Sequence, residues 1–272
     1  MLLYSDGSDM GREALALGKR IAKAMAHSVD VLAIARTSDQ KDVSNKEVEA
    51  AADDLRASGI SVTVYQRPGV MGQELLEQAD ATDYDLIVIG SRGRRGIKRL
   101  LAGSRACTIL GGVTTSVLVV KGREPRRIRH ILACSAGGPA SKETIHFAAR
   151  LAHALGASVT LLHVMSQVAL EEGAQGTDLE AEADELMETE AREGIHLEDM
   201  LEILRDEDVE AEALVRHGLV VEEVIAEAKE GHFDMLVIGA HTTPKLGGLL
   251  FSDLSQQIML AANRPIVIVH QD

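Results

Sequence analysis

Asp85-Leu86-Ile87-Val88-Ile89-Gly90-Ser91-Arg92-Gly93 reads as a buried strand that runs directly into a glycine-spaced loop. Its apolar run is short and continuous, the pattern of a strand covered on both faces rather than of a half-exposed one. Beyond nine intervening residues come Gly103-Ser104, completing the spacing G-x2-G-x9-G-[ST]. A glycine loop that leaves a strand and opens a helix suits a nucleotide phosphate chain. Glycine lets backbone N–H groups approach an anion without a Cβ in the way, and the next helix offers unpaired N–H groups and the positive end of its dipole. Ser104 is both an N-cap and a hydroxyl donor. Each residue also has a plain structural role: Gly90 closes a strand, and Gly103-Ser104 starts a helix.

The same stretch occurs twice. Asp85-Leu-Ile-Val-Ile-Gly90 recurs as Asp234-Met-Leu-Val-Ile-Gly239, and Val117-Leu-Val-Val120 as Ile266-Val-Ile-Val269, both at an offset of 149; Gly69 and Gly218 keep it. Nearer the start of each copy, Arg20-Ile-Ala-Lys-Ala-Met matches Arg150-Leu-Ala-His-Ala-Leu at an offset of 130. The second copy therefore carries 19 extra residues between these blocks. They fall in the acidic stretch 171–208, where Leu179, Ala183, Leu186 and Met187 keep helical spacing and predict a longer, solvated amphipathic helix.

Within the first copy the patterns predict strands at 2–4, 29–35, 62–65, 86–89 and 117–120. Helices are predicted at 11–26, 43–57, 71–78 and 105–110, the last ended by Gly111-Gly112. Strands alternating with helices imply parallel pairing, right-handed crossovers and helices on both sheet faces. The fold class is therefore α/β, two tandem doubly wound, Rossmann-like parallel five-stranded sheets. The domains are 1–121 and 128–272, joined by a linker at 122–127 too short to hold them apart. Such sheets bind ligands beyond the carboxyl ends of their strands, at the switch point where the loops after the first and fourth strands meet. Those loops hold Asp6 and Gly90.

The chain of 272 residues is 46% hydrophobic, with no apolar run long enough to span a bilayer and no signal-peptide pattern at its start, so a cytoplasmic protein is expected. Its charge of −14 argues against nucleic acid or an anionic membrane as partner, and 2% aromatics leave no stacking platform. The charge is uneven: residues 1–121 hold 16 basic and 15 acidic side chains, residues 122–272 hold 12 and 27. Six basic residues lie between Arg92 and Arg105 inside the glycine motif, where they attract anions. The five from Lys121 to Arg129 read as a solvated linker. Cys107 and Cys134 have neither metal nor disulfide spacing and read as packing residues. The histidines show no metal spacing, and His163 reads as a packed core residue.

Taken together, Tyr4-Ser-Asp-Gly-Ser8, Ile89-Gly-Ser-Arg-Gly93, Gly103-Ser104 and Val117-Leu-Val-Val-Lys121 resemble the universal stress protein family, and the doubled pattern resembles its tandem members. The resemblance covers nearly the whole chain. It implies an adenine nucleotide α-hydrolase-like fold with strand order 3-2-1-4-5 and, for this motif subgroup, bound ATP (or AMP or ADP), with Mg2+ held by the phosphates left open. Carried over by motif, Asp6, Ile89 and Gly90 border the adenosine and Ala35 adds an apolar wall. Gly93, Gly103, Ser104 and the N–H of Arg105 hold the phosphates. Apart from the resemblance, Arg92 in the same loop is counted with the nucleotide site, and Arg92 or Arg94 is the residue that would stabilise transferred charge were the phosphate to be moved. No catalytic residue and no protein metal ligand is implied.

The second copy departs at each diagnostic position: Asp6 becomes Ala136, Gly93 becomes Thr242, Gly103 becomes Ser252 and Ser104 becomes Asp253. Asp253 still caps a helix. A carboxylate about 4 Å from a phosphate costs about 4 kcal/mol at an effective dielectric near 20, more than the roughly 1.5–3 kcal/mol a charge-assisted hydrogen bond returns. One nucleotide site per chain is thus expected, with the C-terminal domain imitating the second subunit of a single-domain dimer. Three functions stay open: a non-enzymatic ATP-binding stress-response or regulatory module with an unidentified protein partner, a slow ATP hydrolase or phosphotransferase, and a nucleotide-free scaffold. Further homodimerisation is open as well.

Overall fold

The structure, a computed structural model, describes residues 1–35, 38–68, 71–91, 113–121, 127–136, 139–165, 192–240, 242–245, 248–251 and 253–270. The N-terminal half runs β1 (Leu2–Ser5), α1 (Asp9–Met25), β2 (Ser28–Ala35), α2 (Ser38–Ala57), β3 (Ser61–Pro68), α3 (Met71–Ala81), β4 (Leu86–Ser91) and β5 (Ser116–Lys121). The C-terminal half runs β6 (His130–Ser135), α4 (Pro139–Leu155), β7 (Ser158–Met165), α5 (Arg192–Asp206), β8 (Ala211–His217), α6 (Val220–Glu230), β9 (Met235–Gly239), β10 (Thr242–Lys245), β11 (Gly248–Phe251), α7 (Asp253–Ala261) and β12 (Ile266–Val269).

Strand order is β3-β2-β1-β4-β5 in the first half and β8-β7-β6-β9-β12 in the second, the 3-2-1-4-5 order in both. The halves do not stay separate sheets. β5 and β12 pair antiparallel, Val117 with Ile268, Leu118 with Val267 and Val119 with Ile266, to give one ten-stranded sheet. At the offset of 149, Leu118 is thus paired with its own repeat equivalent. The seam is a pseudo-twofold, self-complementary contact of the kind that joins identical subunits. Its physical cause is in β5, whose six residues are all buried: an apolar strand left at a sheet edge offers unpaired backbone groups that need a partner.

Side chains alternate between the two sheet faces. Leu3, Val31, Val88, Leu118, Ile131, Leu161, Val237 and Val267 pack in one core cluster with α1, α2, α4 and α5. Leu2, Leu32, Ile87, Val119, Leu132, Leu162, Ile238 and Ile266 pack in the other with α3, α6 and α7. Each cluster runs unbroken across the seam.

Two expectations are corrected here, for Lys121 and for the strands of the second copy. Lys121 is not a solvated linker residue: it is buried at the end of β5 and its Nζ donates to the carbonyl of Ala262, just past α7, at 3.1 Å. Burial lowers its pKa to about 8. The described end of the acidic stretch 171–208 forms α5, the equivalent of α2 at the offset of 149, which packs Leu197, Met200, Leu201 and Leu204 into the core; the helix expected around Leu179 to Met187 lies outside the described residues. The second copy also adds an antiparallel pair, β10 with β11, that the first copy's pattern does not predict. Among the described residues no helix is long and apolar enough to cross a membrane.

Candidate functional site

β1 delivers the chain to Asp6 at the carboxyl edge of the sheet, between β2 on one side and β4 on the other. The turn that follows is built from its own short polar side chains. Asp6 Oδ1 accepts from the Ser8 backbone N–H at 3.1 Å and from the Ser8 hydroxyl, and Ser8 Oγ accepts from the Gly11 N–H at 3.1 Å as the N-cap of α1. Asp6 therefore holds the loop, and Ser8, not Asp6, caps the helix.

Two glycines let this turn close against the sheet. A Cβ on Gly11 would lie 2.8 Å from Asp6 Oδ1, and a Cβ on Gly90 would lie 2.1 Å from the carbonyl oxygen of Met10. Gly90 is thus required by the first turn of α1, so its lack of a side chain is explained by packing before any ligand is considered. The structure brings Asp6, Gly11 and Gly90 against one another. Ile89 is buried beneath it in the core, and Ala35 ends β2 opposite Pro68. Arg92, Gly93, Gly103, Ser104, Arg105 and Cys107 lie outside the described residues, as does the predicted helix 105–110.

The equivalent point of the C-terminal half keeps the framework and changes its chemistry. Ser135 ends β6 and Ala136 stands where the first half has Asp6. At the same offset of 130, Gly11 is replaced by Ser141 and Ala14 by Thr144, both buried in α4. Gly239 closes β9, where an added Cβ would meet Thr144 Oγ1 at 2.8 Å. These residues surround a cavity of about 280 Å³. The diagnostic positions Asp6, Gly93, Gly103 and Ser104 do not include the equivalents of Ser141 and Thr144, so sequence reasoning missed both. The offset that aligned the strands was signal enough to find them.

Ser135 Oγ lies 2.5 Å from His196 Nε2, and the Ser135 carbonyl accepts from His163 Nδ1 at 3.1 Å. Burial lowers the pKa of both histidines, so both are neutral at pH 7 and His163 is a hydrogen-bonded core residue. Burial pushes the Cys134 thiol up to about 12, which removes thiolate chemistry at neutral pH and leaves it a packing residue.

The universal stress protein family matches residues 1–121 and 127–270. The universal stress protein YxiE of Bacillus subtilis is 26% identical over 144 residues, 44% of this chain and 97% of that protein. A universal stress protein of Archaeoglobus fulgidus DSM 4304 superposes with a TM-score of 0.66 at 17% identity, covering 100% of this chain and 96% of the other. A universal stress protein described as putative, from Pseudomonas aeruginosa UCBPP-PA14, gives 0.71 at 16% identity, covering 98% and 91%. At these identities the two structures establish likeness of fold, while function has to be argued from the site.

Proposed function

The chain belongs to the universal stress protein family, and from that premise we propose that its N-terminal half is a regulatory module of a stress response that binds one ATP per chain without consuming it. The observation that carries this reading is the convergence of Asp6, Gly11 and Gly90 at the switch point of that half alone. A carboxylate there accepts hydroxyl hydrogen bonds and repels phosphate. It would turn a nucleoside's ribose toward Asp6 and the phosphates toward the basic stretch from Arg92 to Arg105. Ile89, Gly90 and Ala35 would flank the adenosine, and Gly93, Gly103, Ser104 and Arg105 would hold the phosphates, with any Mg2+ riding on the phosphates themselves. For ATP to act as a signal it must bind one conformation of the chain more tightly than another, and the masking or exposure of a partner surface would follow from that difference.

The test is to purify the full chain, identify any nucleotide that accompanies it, and titrate the stripped protein with ATP by calorimetry. One site per chain is expected, weakened at least tenfold in Asp6→Ala. Two sites, or none, would overturn the reading. Following ADP release over time, with Gly103→Ala as control, separates a regulatory module, which releases none, from a slow hydrolase.

A further inference from the structure

The cavity at the C-terminal switch point has a lining unlike a nucleotide site. Leu162, Val164, Val220, Val224, Ile238 and Ile258 make its walls, and among the described residues no charged side chain lines it. Two substitutions relative to the first half produce that character. Ala136 replaces Asp6, and Leu254 replaces Arg105; Leu254 lines the cavity and is 45% exposed, so it forms part of the mouth.

Four hydroxyl residues complete the lining: Ser135, Ser141, Thr144 and Ser255. Ser135 Oγ is engaged by His196 and Ser255 Oγ donates to the carbonyl of Gly239 at 2.9 Å. Ser141 differs: it is 97% buried, its exposure being 3%, and its Oγ has no hydrogen-bond partner among the described residues. A buried hydroxyl without a partner is costly to keep and is rare in a native fold. It occupies the place of Gly11, where a Cβ would collide with Asp6. The loss of the carboxylate and the gain of the hydroxyl are therefore one linked change, from a charged to an uncharged hydrogen-bonding site.

We propose that this cavity is a second ligand site, specific for an uncharged, mostly apolar small molecule with one hydroxyl or carbonyl group that pairs with Ser141. A charged ligand is disfavoured because nothing in the described lining would neutralise it once desolvated. A volume of about 280 Å³ is that of about nine waters, near the lower limit for ligand cavities, and matches a fused two-ring compound or a chain of about ten carbons. The site stands whether or not the N-terminal half binds ATP.

The experiment titrates the full chain with 1-naphthol, which is uncharged, bicyclic and hydroxylated, by calorimetry at several temperatures, with ATP absent and then saturating. The expected result is one site per chain, a negative heat-capacity change from apolar burial, and the same affinity in both ATP conditions. Val220→Phe, which fills the cavity from the first turn of α6, should weaken binding at least tenfold. Ser141→Ala should weaken 1-naphthol about fivefold but leave naphthalene unchanged, and it should not lower the melting temperature because it removes an unpaired polar group. Absence of saturable binding, an equal loss for 1-naphthol and naphthalene in Ser141→Ala, undiminished binding in a folded Val220→Phe, or displacement by adenosine or ATP would each overturn the proposal.

Discussion

Asp6 and Gly11 in the N-terminal half correspond to Ala136 and Ser141 in the C-terminal half, and each pair is coupled through space. With a carboxylate in the loop, the helix must carry glycine, because a Cβ would sit 2.8 Å from Asp6 Oδ1. With alanine in the loop, the helix can carry serine. The strand-closing glycines differ in the same way: Gly90 is pressed against backbone, the Met10 carbonyl, and Gly239 only against the Thr144 hydroxyl. The second copy has therefore not merely lost polar residues from a shared design. It has exchanged one charged, glycine-rich arrangement for an uncharged one with hydroxyls at Ser141 and Thr144, inside an unchanged strand order.

The largest effect should come from adding a methyl group at each strand-closing glycine. Gly90→Ala forces a helix turn off the sheet and should cost about 3 kcal/mol or more, whereas Gly239→Ala asks only one side chain to move and should cost about 1 kcal/mol. Urea midpoints of the two variants measure this, and equal losses would break the comparison.

The seam gives the next largest effect. Lys121 is buried there and its repeat equivalent His270 is half-buried, and burial lowers both pKa values, for Lys121 from 10.5 to about 8. Between pH 8 and 10.5 the unfolded chain binds a proton that the folded chain does not, so stability rises with pH across that window, by up to about 3 kcal/mol. Lys121→Met should flatten that rise and make the protein more stable at pH 7, as read from denaturation midpoints over pH. His270 has the same sign in a lower window: its contribution is lost as pH falls below 6.5. His270→Leu should weaken the acid loss without abolishing it, since His163 and His196 are lowered too.

Helix caps give the smallest effect. Ser8 caps α1 through its side chain, while the N-cap of α6, Leu219, makes no such bond and is 58% exposed. Ser8→Ala should cost about 1 kcal/mol and Leu219→Ser should return up to about 1 kcal/mol. Thermal melting of the two variants in opposite directions would sharpen the contrast between a loop tied down at Asp6 and one that is not.

Much of this was legible beforehand, because it depends on short-range pattern. Runs such as 86–89 and 235–238 announce strands covered on both faces, and the offsets of 130 and 149 announce that the unit is built twice. The Asp6 and Gly90 loops were placed together by the switch-point rule for wound sheets, and the structure joins them through α1. The β10–β11 pair was missed because expectation followed the first copy, although Thr242-Thr243 and Leu249-Leu250-Phe251 carry strand-forming side chains of their own. Lys121 was misread because a lysine beside a basic linker looks solvated; its burial depends on α7, more than 130 residues away.

By itself, then, the sequence determined the α/β alternation, the repeat and the asymmetry of charge and motif between the halves, all properties of neighbouring residues or of direct comparison between copies. Only the tertiary structure decided that the apolar edges of β5 and β12 pair into one sheet, that Gly90 is held by the Met10 carbonyl, and that Ser141 borders a cavity. These depend on which distant surfaces meet, and close packing, unlike hydrophobic period, leaves no local trace in the chain.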